Sequence, residues 1–198
     1  LRKINIIATE KTSEKLLEIA KDCYSRKFSK YLNVNILSEV ISLEDIHYRI
    51  NFKGFRQYFA DLILEKGMKF KDENSIVIII TSSDIYTYGT NYIFGLATKG
   101  IGIISSARID PSFWNDIPEI YEYSKKGEEF FIRQFSKVLL HEFGHTLSLS
   151  HCNKINCVMY YSNSPIELYH KGEDYCKDCW NRIIFNILNT FFFIDFSF

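Results

Sequence analysis

The sequence has no excess of charge of either sign: 24 Lys and Arg stand against 24 Asp and Glu along 198 residues. It also has no dense Lys/Arg block, so a dedicated nucleic-acid binder and a polybasic membrane anchor are both disfavoured. No uninterrupted apolar run reaches eighteen residues, and the closing FFFIDFSF is too short to cross a bilayer, so no membrane span is predicted. The opening LRKINIIATEKTSEKLL lacks the long apolar stretch and small-residue cleavage site of a secretory signal. No repeat, low-complexity tract or linker is present. These absences together predict one soluble, cytoplasmic domain over residues 1–198, a monomer by default. In a reducing compartment the five cysteines are better read as metal ligands than as a disulfide frame.

Hydrophobic spacing sets the expected order of elements. INIIA (4–8) reads as a buried strand, and the following segment to Phe28 as a helix with Leu16, Ile19, Ala20, Cys23 and Tyr24 on one face, capped by Thr12 or Ser13. NVNIL (33–37) alternates as a strand. Residues 52–67 have helical spacing, with Gly67 as a C-terminal cap. SIVIIIT (75–81) is a continuous β-branched run, suited to a central strand buried on both faces. Residues 91–109 read as two short extended pieces around glycines, DPSFWNDIP as loop, and 127–149 as a long amphipathic helix. SNSPIELYHKGEDY reads as polar loop and WNRIIFNILN as a final short helix. Strands alternating with helices predict an α/β domain with a mixed, twisted sheet.

The metal-liking side chains are concentrated in residues 141–179, which hold four of the five cysteines and the sequence HEFGH. On a helix, His141 and His145 lie one turn apart on the same face and can offer imidazole nitrogens to one ion. Glu142 sits about 100° further round, where its carboxylate can act on a zinc-bound water without being a ligand. His151, six residues after His145, completes three ligands and leaves one position open, as a catalytic zinc site requires. Cys152, Cys157, Cys176 and Cys179 form C-x4-C and C-x2-C pairs, a pattern that suits a closed, tetrahedral structural zinc. Cys23 lies on the apolar face of the first helix and reads as a core residue. His47 and His170 have no partner pattern and read as surface residues.

The arrangement H-E-x-x-H-x5-H, followed at once by C-x4-C-x-M and later by C-x-x-C, resembles the archaemetzincins, a branch of the metzincin metallopeptidases. Weaker similarity runs upstream through FRQYFADLILEK, IIITSSDIYTYGTNYIFGLA and GIGIISSARI. The resemblance implies a metzincin-like zincin fold: a mixed twisted sheet, a long active-site helix and a small zinc-bound C-terminal subdomain. It places an upper part at about 1–148 and a lower part at about 149–198. It further implies two zinc ions, a catalytic one held by His141, His145 and His151 with Glu142 as general base, and a structural one held by the four cysteines. Met159 would pack beneath the first zinc as an apolar floor. Residues 94–108 would offer a strand edge to an extended peptide.

Two residues leave choices open. Metzincins usually carry Gly three residues after the second His, where this chain has Ser148. Ser148 either adopts positive φ at a cost of about 1–2 kcal/mol or lets the helix end differently. Tyr161 reads first as a core or surface tyrosine and second as a group able to approach the zinc. The expected activity is hydrolysis of peptide bonds, with peptide or protein substrates as partners. The alternatives are a zinc-stabilised peptide-binding protein with weak or no catalysis, and a four-cysteine zinc module that binds nucleic acid, which the neutral charge disfavours.

Overall fold

The run SIVIIIT is buried along its whole length at the centre of the sheet, in a computed structural model that describes residues 3–189. In chain order the strands are β1 (Lys3–Thr9), β2 (Asn33–Ile41), β3 (Tyr48–Ile50), β4 (Arg56–Phe59), β5 (Ser75–Thr81), β6 (Asp84–Tyr86), β7 (Gly95–Thr98) and β8 (Ile101–Ser105). The helices are α1 (Glu14–Phe28), α2 (Ala60–Gly67), α3 (Pro118–Tyr121), α4 (Gly127–Thr146), α5 (Pro165–His170) and α6 (Lys177–Asn189). The main sheet has the order β2-β1-β5-β8-β7, with four parallel strands and β7 antiparallel at one edge. None of the helices among the described residues is long and apolar enough to cross a membrane.

β5 shows why a continuous apolar run was needed. Successive strand side chains point to opposite faces, so Ile76, Ile78 and Ile80 join the core under α1 and α4, while Val77 and Ile79 join the core under α2. The first core continues past α4 into Val158, Met159, Leu168, Tyr175 and Ile183, so α4 lies between the sheet and the C-terminal segment. That position accounts for the burial of nearly every residue from Gln134 to Thr146. Tyr24 Oη donates to the Leu139 carbonyl at 3.0 Å, and Tyr175 Oη donates to that of Leu140, so α4 is tied on both sides.

Three expectations need correction. Residues 52–67 are not one helix: the first part is a hairpin leading into β4, and α2 starts only at Ala60. Turn chemistry overrides the helical spacing there. Asn51 Oδ1 accepts from the backbone N–H groups of Lys53 (2.9 Å) and Phe55 (3.0 Å), and Gly54 takes φ +80°. Gly67 is no C-terminal cap, because its φ is −71° and the chain continues into a 3-10 turn, Met68–Phe70. It is small because a Cβ would lie 2.5 Å from Ile79 Cδ1. Finally, neither predicted loop is without structure. Residues 110–118 include the 3-10 turn Pro111–Trp114, and the segment after Tyr161 contains α5, started by a reciprocal cap between Ser164 and Glu167.

β3, β4 and β6 form a separate three-stranded sheet that braces the segment leading into β7. Arg49 Nη2 donates to the carbonyls of Thr90 (2.8 Å) and Asn91 (2.7 Å), and Gln57 Nε2 donates to that of Asn91 (2.9 Å). Arg108 makes a buried two-pronged bond to Asp84 at 2.7 and 2.8 Å, with its guanidinium against Tyr92. These ties fix the rim from which Tyr92 to Ala97 face the cleft.

Candidate metal centres and active site

α4 carries His141 and His145 on successive turns, and the backbone beyond it orients both rings. His141 Nδ1 donates to the Val158 carbonyl at 2.8 Å, and His145 Nδ1 donates to that of Leu149 at 2.7 Å. Each ring therefore turns its Nε2 towards the cleft, the two nitrogens lying 3.1 Å apart. His151 joins them from outside the helix, its ring centroid 4.8 Å from that of His145 and 5.2 Å from that of His141. One nitrogen from each of the three rings falls within 4.8 Å of the others. Burial holds all three imidazoles below their ordinary pKa, with Lys171 adding to the effect at His141. Neutral rings with converging lone pairs suit a divalent zinc-type ion.

Ser148 settles one open choice. It takes φ +63°, so the strained alternative is the one adopted. Its N–H bonds the His145 carbonyl at 2.9 Å, and the Leu149 N–H bonds that of Gly144 at 3.0 Å. This is the helix stop normally built on glycine. Its consequence is local: the left-handed turn brings the Leu149 carbonyl back onto the His145 ring and sends the chain towards His151.

Glu142 is buried beside the three rings and faces the same cleft. Burial pushes its carboxyl up to about 8, with the Lys171 charge opposing. Gly95 of β7 lies over it so closely that a Cβ there would be 2.5 Å from Glu142 Cγ. On the other side, Met159 is fully buried and packs against Gly144, where a Cβ would collide with its Sδ. Tyr161 is half exposed, its ring 4.7 Å from that of His151. His47 and His170 are on the surface, as expected.

The second cluster starts at the next residue. The Sγ atoms of Cys152, Cys157, Cys176 and Cys179 lie within 4.8 Å of one another, and none is in a disulfide. Cys152 Sγ and Cys176 Sγ are 3.9 Å apart, and the Cys176 N–H donates to Cys157 Sγ at 3.3 Å. Burial raises Cys157 and Cys179, whereas at Cys176 burial is outweighed by hydrogen bonds from Cys179 and the other thiols, which bring it down to about 7. Four unoxidised thiols at this spacing fit a tetrahedral soft-metal site. Cys23 takes no part: it is buried on α1, where burial pushes its thiol up to about 11.

The structure thus brings together each predicted group of metal ligands. Sequence reading missed three residues that shape the cleft: Gly95, Gly144 and Lys171. Gly144 lies inside the HEFGH motif and was legible as a close-approach position. Gly95 and Lys171 had no local signal.

A mixed sheet over a long helix that supplies two histidines, with a third from the turn beyond, defines the zincin class of fold, and comparison narrows it. Residues 27–184 match the profile of peptidase family M54. The archaemetzincin of Saccharolobus solfataricus is 35% identical over 128 residues, covering 64% of this chain and 66% of that protein. The archaemetzincin of Thermococcus kodakarensis is 29% identical over 174 residues, covering 86% and 87%. Among solved structures, the archaemetzincin of Methanopyrus kandleri superposes with a TM-score of 0.67 at 23% identity, covering 94% of this chain and 96% of that one. A zinc-dependent peptidase from Methanocorpusculum labreanum gives 0.69 at 21% identity, covering 91% and 99%. The chain belongs to peptidase family M54, the archaemetzincin family of zinc metallopeptidases.

Proposed function

We propose that the protein hydrolyses peptide bonds with a catalytic zinc held by His141, His145 and His151, and that a second, structural zinc is held by Cys152, Cys157, Cys176 and Cys179. The carrying observation is the orientation of the rings: backbone carbonyls take the Nδ1 protons of His141 and His145, leaving Nε2 lone pairs that converge beside a buried carboxylate. Zinc, when bound, supplies a Lewis acid that polarises a carbonyl and makes water a stronger acid.

The remaining work falls to the chain. Glu142 takes the proton of the attacking water and passes it to the leaving amine, a role suited to a carboxyl raised towards neutrality by burial. β7 is the last strand of the main sheet, so an extended peptide can pair along Gly95–Thr98 and lie across the cleft. Gly95 lets that strand approach Glu142 and excludes water from above it. In this reading the C-terminal residues from about 149 form a lower subdomain that closes the cleft from below.

The test is Glu142→Ala in zinc-loaded protein. The variant is expected to keep both metals by elemental analysis and to lose about 10²- to 10⁴-fold in kcat on any peptide the parent cleaves. Unchanged turnover would remove Glu142 from the mechanism. A parent that binds peptides and cleaves none would make the protein a peptide-binding member of the family.

A further inference from the structure

Two buried donors in the cleft have no part in the reaction above. Lys171 follows α5 and is 5% exposed, and its ammonium donates to the Tyr160 carbonyl at 3.1 Å. The same Nζ lies 3.2 Å from His141 Nδ1. That ring nitrogen already gives its proton to Val158, as it must when Nε2 is left free for a metal, so it cannot also accept. Of the three ammonium protons, one therefore has an acceptor among the described residues. Ser162 is the second donor: its hydroxyl is buried and has no hydrogen-bond partner. Both line the cleft of about 620 Å³ that also contains His141, Glu142, Val138 and Leu168.

Buried donors without acceptors cost free energy until a ligand or water supplies them. A carboxylate answers both deficits. It only accepts, it carries the charge opposite to Lys171, and its two oxygens can take an ammonium and a hydroxyl together. Val138 and Leu168 back the same cleft with buried apolar side chains.

We propose that Lys171 and Ser162 form a carboxylate-binding pocket beside the catalytic centre, selecting peptides that place a carboxylate next to the scissile bond. The inference rests on the peptidase reading for the word scissile and on the geometry alone for the pocket. The carboxylate has two sources, an Asp or Glu side chain and a free C-terminus.

The experiment uses zinc-chelating peptide hydroxamates whose residue next to the hydroxamate is Glu, Gln, Leu or Lys, each with a free or amidated C-terminus. Binding to the zinc-loaded full chain is measured by calorimetry, so the readout does not depend on turnover. The Glu ligand is expected to bind at least tenfold more tightly than its Gln partner, or the free-acid ligands than the amidated ones, which identifies the source. Lys171→Met should remove that ratio and Ser162→Ala should reduce it. Equal binding of Glu and Gln ligands together with equal binding of acid and amide ligands overturns the proposal. So does a parent ratio left unchanged in both variants, or a Lys171→Met variant that weakens every ligand alike, since Lys171 would then only support the Tyr160 backbone. If Lys171→Met does not fold, Ser162→Ala carries the test, because Ser162 has no hydrogen bond to lose. Cleavage of the matching peptides separates the two readings. A Lys171-dependent preference in binding without cleavage refutes the peptidase and leaves the pocket. Cleavage with no carboxylate preference does the reverse.

Discussion

Ser148 carries a conformational cost that glycine would avoid, and the reason it is tolerated lies in what the turn does. Positive φ at a residue with a Cβ costs about 1–2 kcal/mol, whereas a zinc site of the structural kind releases about 10–16 kcal/mol. The turn that Ser148 makes both closes α4 and delivers the Leu149 carbonyl to His145. Ser148→Gly should relieve the strain but give back about 0.4–1 kcal/mol to the unfolded chain. The expected result is a net gain of about 0–1.6 kcal/mol in urea unfolding, with zinc content unchanged. A loss above about 1 kcal/mol would mean that the serine side chain contributes something beyond its backbone shape. Lys137 is the opposite case, a buried charge held by α4 four residues before His141. Its ammonium donates to the Leu168 and Tyr169 carbonyls at 3.1 and 3.0 Å, tying the end of α5 to α4. Burial brings its pKa down from 10.5 to about 8. Between those values the unfolded chain holds a proton that the folded chain has released, so this residue makes stability rise with pH across that window. Below about 8 both states are charged and the burial penalty is fully present. Lys137→Met should destabilise by about 1–3 kcal/mol at pH 7, through two orphaned carbonyls. Its deficit against the parent should grow between about pH 8 and pH 10. Parallel stability curves for the two proteins across that range would show that Lys137 does not titrate there.

At the scale of elements, what the sequence disclosed depends on how local the cause is. α4 and its two histidines were legible because a 3.6-residue period and the HEFGH spacing are both local. β5 was legible because burial on both faces leaves a continuous β-branched run. The cysteine cluster was legible from ligand chemistry, although its pairs come from segments some twenty residues apart. β4 was not legible, because FKGFRQYF has a helical spacing of rings and the deciding interactions are an Asn51 side-chain turn and the pairing of Gln57 with Asp84 across the sheet. α5 was hidden for a different reason. It is only six residues long and depends on the Ser164–Glu167 cap rather than on a hydrophobic period. The roles of Gly95 and Lys171 needed the fold itself, since their partners Glu142 and Tyr160 are placed by α4 and the C-terminal segment.

At the scale of the whole molecule, the two candidate metal centres meet at a single peptide bond, between His151 and Cys152, and if both hold zinc the dependence between them should run one way. The part of the chain beyond α4 has only α5 and α6 as regular elements among its described residues, so it has little secondary structure of its own to hold a shape. The cysteine cluster supplies the missing constraint. It clamps the segment 152–159 against the segment 172–179, where Val158 N–H bonds the Asp174 carbonyl at 2.8 Å and Gly172 N–H bonds that of Ile155 at 2.8 Å. That same segment presents the Val158 carbonyl that orients His141, the buried Met159 packed against Gly144, and the backbone leading from His151. Losing the ion proposed for the cysteines should therefore release all three of these features of the proposed catalytic site. Losing an ion from the three histidines should leave the cysteines and their backbone bonds in place. His141→Ala is expected to retain one zinc per chain, with its four cluster thiols protected from a thiol reagent. A Cys176→Ser, Cys179→Ser double variant should lose both ions and unfold at markedly lower urea, since binding energy at such a site is also folding energy. Zinc per chain and thiol reactivity, measured on both variants, distinguish the cases. A double cysteine variant that still holds one zinc on His141, His145 and His151 would show that the sheet and α4 build the catalytic centre alone, and that the cysteine cluster serves only the segment around it.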